Sequence, residues 1–340
     1  MILFSEKTNE LIKKATKNKD HIKFTIGVLH EGETSFKLFD SKGEIPYESY
    51  LYESGSITKV FTTSLFAKYL QEGKMSLDDS IAKYIPELDD EKYLPTLKKL
   101  ATHTAGYSTL YPMNKSEYFK LLRHQIGGKF IKDPVNVTDY VTMDYEKAIT
   151  LANDAKVKDK DYKWKYSNYG ISLLGQAIAT VAEKSFWDLM NQYLIQDLGL
   201  KNTFMGTDSS EILTGYDLKN RNVGNCNWQK GANLVSPAGA ITSTPEDLLE
   251  FAKMNIEQSP NYLGLCHEKY ANGYKKFSMG LGWWIDKKNP NLFYHGGNTQ
   301  GFASMLAFDK KKKAAVVILA NVYYYKEREK LFVDILENLE

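Results

Sequence analysis

Cysteine is scarce in this chain of 340 residues: Cys226 and Cys266 are the only two. They can make at most one bridge and have no metal-ligand spacing. A small disulfide-stapled scaffold and a cysteine metal module are therefore excluded, and two free thiols are expected. An excess of one charge sign is also missing. With 44 Lys and Arg against 42 Asp and Glu, nothing marks a polyanion binder, and no nucleic-acid partner is expected. The densest basic tract, "DKKKK" at 309 to 313, lies between two apolar segments and reads as a hairpin tip. No stretch reaches the roughly 20 apolar residues of a membrane span, so no transmembrane segment is expected. Met1 to Phe4 are too few for the core of a signal peptide, and Glu6 and Glu10 follow at once. As it stands the chain reads as cytoplasmic, and as exported or held at the cell envelope if a native leader has been removed. Internal repeats and low-complexity segments are absent.

Core-forming material is plentiful: 43% of residues are apolar and 25% charged, enough for two domains or for one with a large insertion. Residues 5 to 17 read as a helix with Leu11, Ile12 and Ala15 on one side. The runs "IKFTIGVLH" and "TSFKLFD", separated by "EGE", read as an antiparallel hairpin. Near the other end, "MGLGWWID", "LFYHGG", "FASMLAFD" and "AAVVILAN" are four further candidate strands, and "KEREKLFVDILENLE" is a helix to cover them. From Thr58 to Tyr69, and again from Ser167 to Leu194, apolar residues recur at helical spacing. Strands at both ends around a helical middle predict an α/β protein. Residues 1–75 and 270–340 would build an antiparallel sheet flanked by helices, residues 76–269 an inserted, mostly helical domain, and the cleft between them the site.

The stretch "ESGSITKVF" places Ser56 three positions before Lys59 at the start of a helix. As an N-cap, Ser56 would accept a backbone N–H bond worth about 1 kcal/mol and ask nothing of Lys59. As a nucleophile it needs a base, because a free hydroxyl stays protonated at neutral pH. The spacing puts Lys59 on the same helix face, and its amine can take a proton only where burial or nearby positive charge keeps part of it neutral. Two other stretches bear on the choice. "KYSNYG" supplies Tyr166 and Asn168, which share a cleft wall if the backbone between them is extended or turned. "YHGGNTQGF" supplies His295 followed by Gly296 and Gly297, where missing side chains would let a substrate backbone lie close. A packed tyrosine, a helix cap and a tight turn would account for these residues one by one.

Taken in order, Ser56-Ile57-Thr58-Lys59, Tyr166-Ser167-Asn168 and His295-Gly296-Gly297 resemble the three motifs of the serine β-lactamase and penicillin-binding protein superfamily. The branch indicated is the one that holds class C β-lactamases, DD-carboxypeptidases, D-aminopeptidases and related esterases. "LATHTAGY" at 100 to 107, "LVSPAGAITSTPEDLLEF" and "MGLGWW" are similar to further stretches of that family. The resemblance implies the β-lactamase/transpeptidase-like fold and a set of roles. Ser56 would be acylated, with Lys59 and Tyr166 as the proton relay. Asn168 would bond Lys59 and the substrate amide, and the backbone N–H groups of Ser56 and Asn298 would form the oxyanion hole. His295, Gly296 and Gly297 would line the substrate strand. His295 stands where many penicillin-recognising relatives have lysine, and a histidine with a pKa of about 6.5 is mainly neutral above neutrality.

The implied function is a serine hydrolase that forms an acyl-enzyme. A D-amino-acid-specific peptidase or DD-carboxypeptidase-like enzyme comes first, then a carboxylesterase, then a β-lactamase, with a non-catalytic penicillin- or peptide-binding protein last. The partner would be a small peptide, amide, ester or β-lactam, with no cofactor and no metal; no oligomeric state is encoded. Of the remaining residues, His103 is expected to pack the cleft edge, and His21, His30, His124 and His267 to be surface or core groups. Tyr107, Tyr111 and Trp283 are expected near the cleft.

Overall fold

The computed structural model describes residues 4–107, 143–226, 228, 234–323 and 328–339. Its frame is a nine-stranded sheet in the order β3-β2-β1-β12-β11-β10-β9-β8-β7, every pairing antiparallel. The first strands are β1 (Phe24–His30), β2 (Glu33–Asp40) and β3 (Gly43–Ile45); the last are β7 (Ala271–Asn272), β8 (Phe277–Met279), β9 (Trp284–Asp286), β10 (Leu292–Asn298), β11 (Ala303–Asp309) and β12 (Ala314–Ala320). Between them lie β4 (Tyr52–Glu53), β5 (Phe204–Met205) and β6 (Ile241–Ser243), which form a small second sheet in the order β4-β6-β5. The two ends of the chain meet in the middle of the large sheet, where Gly27 of β1 pairs with Val317 of β12.

The predicted first hairpin closes through Glu31 and Gly32, both at positive φ, as a two-residue turn matched to strand twist requires. The lysine tract is the β11–β12 turn, and the Asp309 carboxylate accepts the N–H groups of Lys311 and Lys312. Every residue of β11 and β12 is buried, because the sheet is covered on both faces. Val316 and Ile318 pack with Leu11, Ile12, Leu331 and Phe332 of the terminal helices Glu6–Thr16 and Arg328–Glu337. Val317 and Leu319 pack on the opposite side with Leu248, Leu249 and Phe251, the period of two that a strand imposes. Asp334 ties the two terminal helices together by accepting the hydroxyls of Ser5 and Thr8, each at 2.6 Å.

Some expected elements divide. The helical pattern of residues 167–194 forms two helices, Asn168–Ala182 and Phe186–Gln192, because Glu183 adopts a left-handed conformation and Ser185 caps a new start. "MGLGWWID" is not one strand: β8 ends at Met279, and β9 begins at Trp284. Gly282 sits between them at φ +74°, where a β-carbon would come within 2.3 Å of Thr63 Oγ1. That close approach seats the turn on the Thr58–Gln71 helix. The helix Pro245–Glu257, grouped by sequence with the helical middle, lies against β1, β11 and β12. The helix Thr58–Gln71 is buried on almost all sides, between this sheet layer and the helix Asn168–Ala182. Its first turn therefore sits deep inside the molecule.

Candidate active site

Ser56 lies in a 3-10 turn, Gly55–Ile57, that runs directly into the helix Thr58–Gln71. The turn is pinned on two sides. Ser54 N–H bonds the Ile241 carbonyl of β6 at 2.8 Å, and Ser304 Oγ of β11 donates to the Ser54 carbonyl at 2.7 Å. Lys59 is 0% exposed. Its Nζ lies 3.0 Å from Ser56 Oγ, 2.5 Å from the Ala238 carbonyl and 4.9 Å from the centre of the Tyr166 ring. Burial drives its pKa well below the ordinary lysine range. Ser56 keeps partial exposure, so a partly neutral amine stands beside a hydroxyl that solvent can reach.

Two glycines let β10 approach this turn. A β-carbon at Gly297 would fall 2.0 Å from the Ser54 carbonyl oxygen and 2.9 Å from Ser56 N. One at Gly55, where φ is +52°, would fall 2.8 Å from Asn298 N. The amides of Ser56 and Asn298 thus flank a contact that only glycine permits. Arg328, buried in the last helix, fixes the far side of β10: its Nη1 donates to the Gly297 carbonyl at 2.5 Å, to Ser304 O at 2.8 Å and to Asn298 Oδ1 at 3.1 Å.

Tyr166 and Asn168 follow an irregular segment, and Ser167 between them is extended at φ −140°, ψ 109°. Ser167 is the N-cap of the helix Asn168–Ala182, accepting from Gly170 N at 2.9 Å, so Asn168 is the first helical residue and not the cap. The expected Asn168–Lys59 hydrogen bond is not formed. Lys59 turns to Ala238 O and Ser56, and Asn168 Oδ1 is buried without a hydrogen-bond partner among the described residues.

His295 is fully buried on β10, its ring 6.2 Å from that of Tyr166 and 4.6 Å from that of Trp284. Burial first, and then the charge of Lys59, hold its pKa well below 6.5. Its Nδ1 lies 2.9 Å from the Gly296 carbonyl, which can only accept, so the proton is on Nδ1. Nε2, buried with no partner among the described residues, is then an acceptor rather than a donor.

The site unites residues 53 to 59, 166 to 168, 236 to 238 and 295 to 298. Three of its members escaped the sequence reading. The Ala238 carbonyl is a backbone group without a side-chain signal, Arg328 arrives from 30 residues away through the sheet, and Trp284 rather than Trp283 faces His295. Trp283 is buried against Phe251 and Phe308, and Tyr107 packs edge-on to Tyr169, so neither lines the cleft. His267 is a core group whose Nε2 lies 3.0 Å from Asn255 Oδ1, and His21 stacks on Tyr216. Tyr111 and His124 lie outside the described residues. Both cysteines are buried free thiols. Among the described residues no three His, Cys, Asp or Glu side chains converge as a metal site would require, and no helix is long and apolar enough to cross a membrane.

The fold is that of the β-lactamase-related superfamily. The chain belongs to the beta-lactamase family, which it matches over residues 9–339. It is 25% identical over 265 residues to a beta-lactamase of Providencia stuartii, a match covering 75% of this chain and 61% of that protein. The chain thus spans less than two thirds of the length of that relative. It superposes on a β-lactamase/D-alanine carboxypeptidase from Pseudomonas syringae with a TM-score of 0.78 at 22% identity, covering 98% of both chains. A class C β-lactamase from Rhodobacter sphaeroides gives a TM-score of 0.78 at 20% identity, covering 98% of this chain and 99% of the other. The architecture is that of the class C enzymes: an antiparallel sheet flanked by helices, with an inserted helical subdomain.

Proposed function

We propose that Ser56 attacks an acyl donor and is acylated, with a β-lactam amide as the first substrate class. The reading rests on one observation: Lys59 Nζ lies 3.0 Å from Ser56 Oγ at a fully buried position that favours the neutral amine. Lys59 takes the serine proton, and the bond forming from Oγ to the carbonyl carbon pushes negative charge onto the carbonyl oxygen. The Ser56 and Asn298 amides receive that charge, an interaction commonly worth several kcal/mol in acyl transfer. Tyr166, whose ring lies 4.9 Å from Lys59 Nζ, gives its proton to the leaving nitrogen and takes in its place the proton that Lys59 removed from Ser56. Asn168 Oδ1, without a hydrogen-bond partner among the described residues, accepts the N–H of the substrate acylamide. Water then hydrolyses the ester.

The β-lactamases among the relatives favour β-lactam over the D-peptide that the motif resemblance put first. His295 favours a second reading, D-alanyl amide or ester hydrolysis. A neutral ring that presents an acceptor at Nε2 gives no fixed cation for a substrate carboxylate. Intact-protein mass after short and long incubation with benzylpenicillin, with Ser56→Ala as the blank, separates the two. Rapid loss of penicillin with a transient Ser56 adduct supports the first reading, and a persistent adduct supports the second. Penicillin turnover or an adduct that survives in Ser56→Ala would sink both.

A further inference from the structure

His103 stands in "LATHTAGY" beside the site, and its surroundings are unusual for a residue that only packs an edge. Its backbone is left-handed at φ 60°, a conformation that costs energy for any residue with a β-carbon. Its carbonyl accepts the N–H of Lys165 at 2.9 Å, and its ring Nδ1 accepts the N–H of Ser167 at 3.2 Å. Those are the two amides that flank Tyr166. The ring itself lies 4.7 Å from the Tyr166 ring, and Trp164 meets the histidine edge-on at 6.3 Å.

We infer that His103 is the positioning residue of Tyr166, clamping the backbone on both sides of the tyrosine and packing against its ring so that the phenol stays over Lys59. Only a lone pair can accept the Ser167 N–H, so Nδ1 must be unprotonated and the ring neutral with its proton on Nε2. An imidazolium, which donates at both nitrogens, would release Ser167. Burial keeps the ring neutral, pushing its pKa down to about 3. The strained backbone is tolerated because the conformation aims carbonyl and ring at one irregular segment together. Asparagine is the natural test of this logic. It accepts left-handed φ and can offer Oδ1 in place of Nδ1, whereas glycine relieves the backbone without an acceptor, and leucine fills space without either.

This inference rests on the proposed acyl transfer only through the use made of Tyr166, and it can be read without turnover. The full chain is labelled with 15N-histidine and, separately, with 3-fluorotyrosine, in the wild type and in His103→Asn, His103→Leu and His103→Gly, with thermal unfolding as the check on folding. At neutral pH His103 should show an unprotonated Nδ1 and a protonated Nε2. Tyr166 should give one sharp fluorine resonance in the wild type and the Asn variant, and a shifted or broadened one in the Leu and Gly variants. A proton on Nδ1, or a Tyr166 resonance unchanged in the folded Gly or Leu variant, overturns the inference. If the Leu variant fails to fold, the wild-type nitrogen spectrum and the Gly variant decide it. With p-nitrophenyl acetate and D-alanyl p-nitroanilide as probes, the Leu and Gly variants should lose about tenfold more anilide than ester turnover, since the poorer leaving group depends more on the proton donor. The Asn variant should restore most of the anilide rate. Absence of Ser56-dependent turnover of either probe in the wild type would count against the proposed function and leave the spectra to judge His103.

Discussion

The side chains with the greatest chemical consequence are those that burial has altered. Lys59 loses the water that would stabilise its charge, and its hydrogen-bond partners among the described residues, Ser56 and Ala238, are neutral. Its pKa therefore lies well below 10.5, and the neutral, proton-accepting form spreads downward in pH. Acylation by benzylpenicillin should rise with pH through that lowered pKa and level off well before pH 10. A rising limb centred in the ordinary lysine range would contradict this assignment. Lys59→Arg, which cannot deprotonate, should slow acylation by about 10²–10⁴-fold, the usual range for removing a general base. The residues of the pair were legible because a helix fixes the distance between positions i and i+3. The Ala238 carbonyl and the unpartnered oxygen of Asn168 were not, since backbone groups and hydrogen-bond vacancies carry no residue signature.

At the level of elements, the decisive contact is β10 against the Gly55–Ile57 turn. Gly297→Ala would put a methyl 2.0 Å from the Ser54 carbonyl and 2.4 Å from Ser304 Oγ, a collision with backbone and with a pinned hydroxyl. We expect a loss of about 1–3 kcal/mol in urea denaturation, the usual scale of overpacking. Acylation should fall by about 10²–10³-fold if the strand retreats from the oxyanion position. Gly296→Ala is the matched control: its nearest neighbour is the end of the flexible Met305 side chain at 3.2 Å, so a milder effect on both measurements is expected. Equal effects of the two substitutions would refute the close-approach argument. Strands and hairpins were largely readable from alternation and turn residues. The "MGLGWWID" segment was misjudged because Gly282 serves a contact with the Thr58–Gln71 helix and Gly280 a close approach to the Cys266 carbonyl, and the split after Glu183 because apolar spacing survives a single left-handed residue.

For the whole molecule, burial of neutral histidines couples folding to pH. His103 and His267 are pushed down to about 3, chiefly by burial, and His295 is held well below 6.5. The unfolded chain binds these protons near pH 6.5 and the folded chain does not, so stability is full above that value and falls as pH drops below it. Glu53 opposes the trend by up to one proton above pH 4.5, because burial raises its carboxyl pKa. The three histidines outweigh that single carboxyl, so stability should fall as pH drops from about 6 to 5. Urea midpoints measured at pH 7.5, 6.0 and 5.0 check this, and a flat series would show that the three rings are not buried neutral. The two ends of the chain share the risk, since β1 and β12 lie side by side and the terminal helices are joined at Asp334.

The amino-acid order alone determined the local periodicities, the three ordered motifs and the α/β class, because each depends on spacings of two to four residues that the backbone itself enforces. Only the tertiary structure decided that Trp284 and not Trp283 meets His295, that His103 clamps both sides of Tyr166, and that Arg328 supports β10. Those contacts join positions 11 to 64 residues apart, and their geometry comes from the close packing of sheet against helix, for which no local pattern of residues is a sufficient cause.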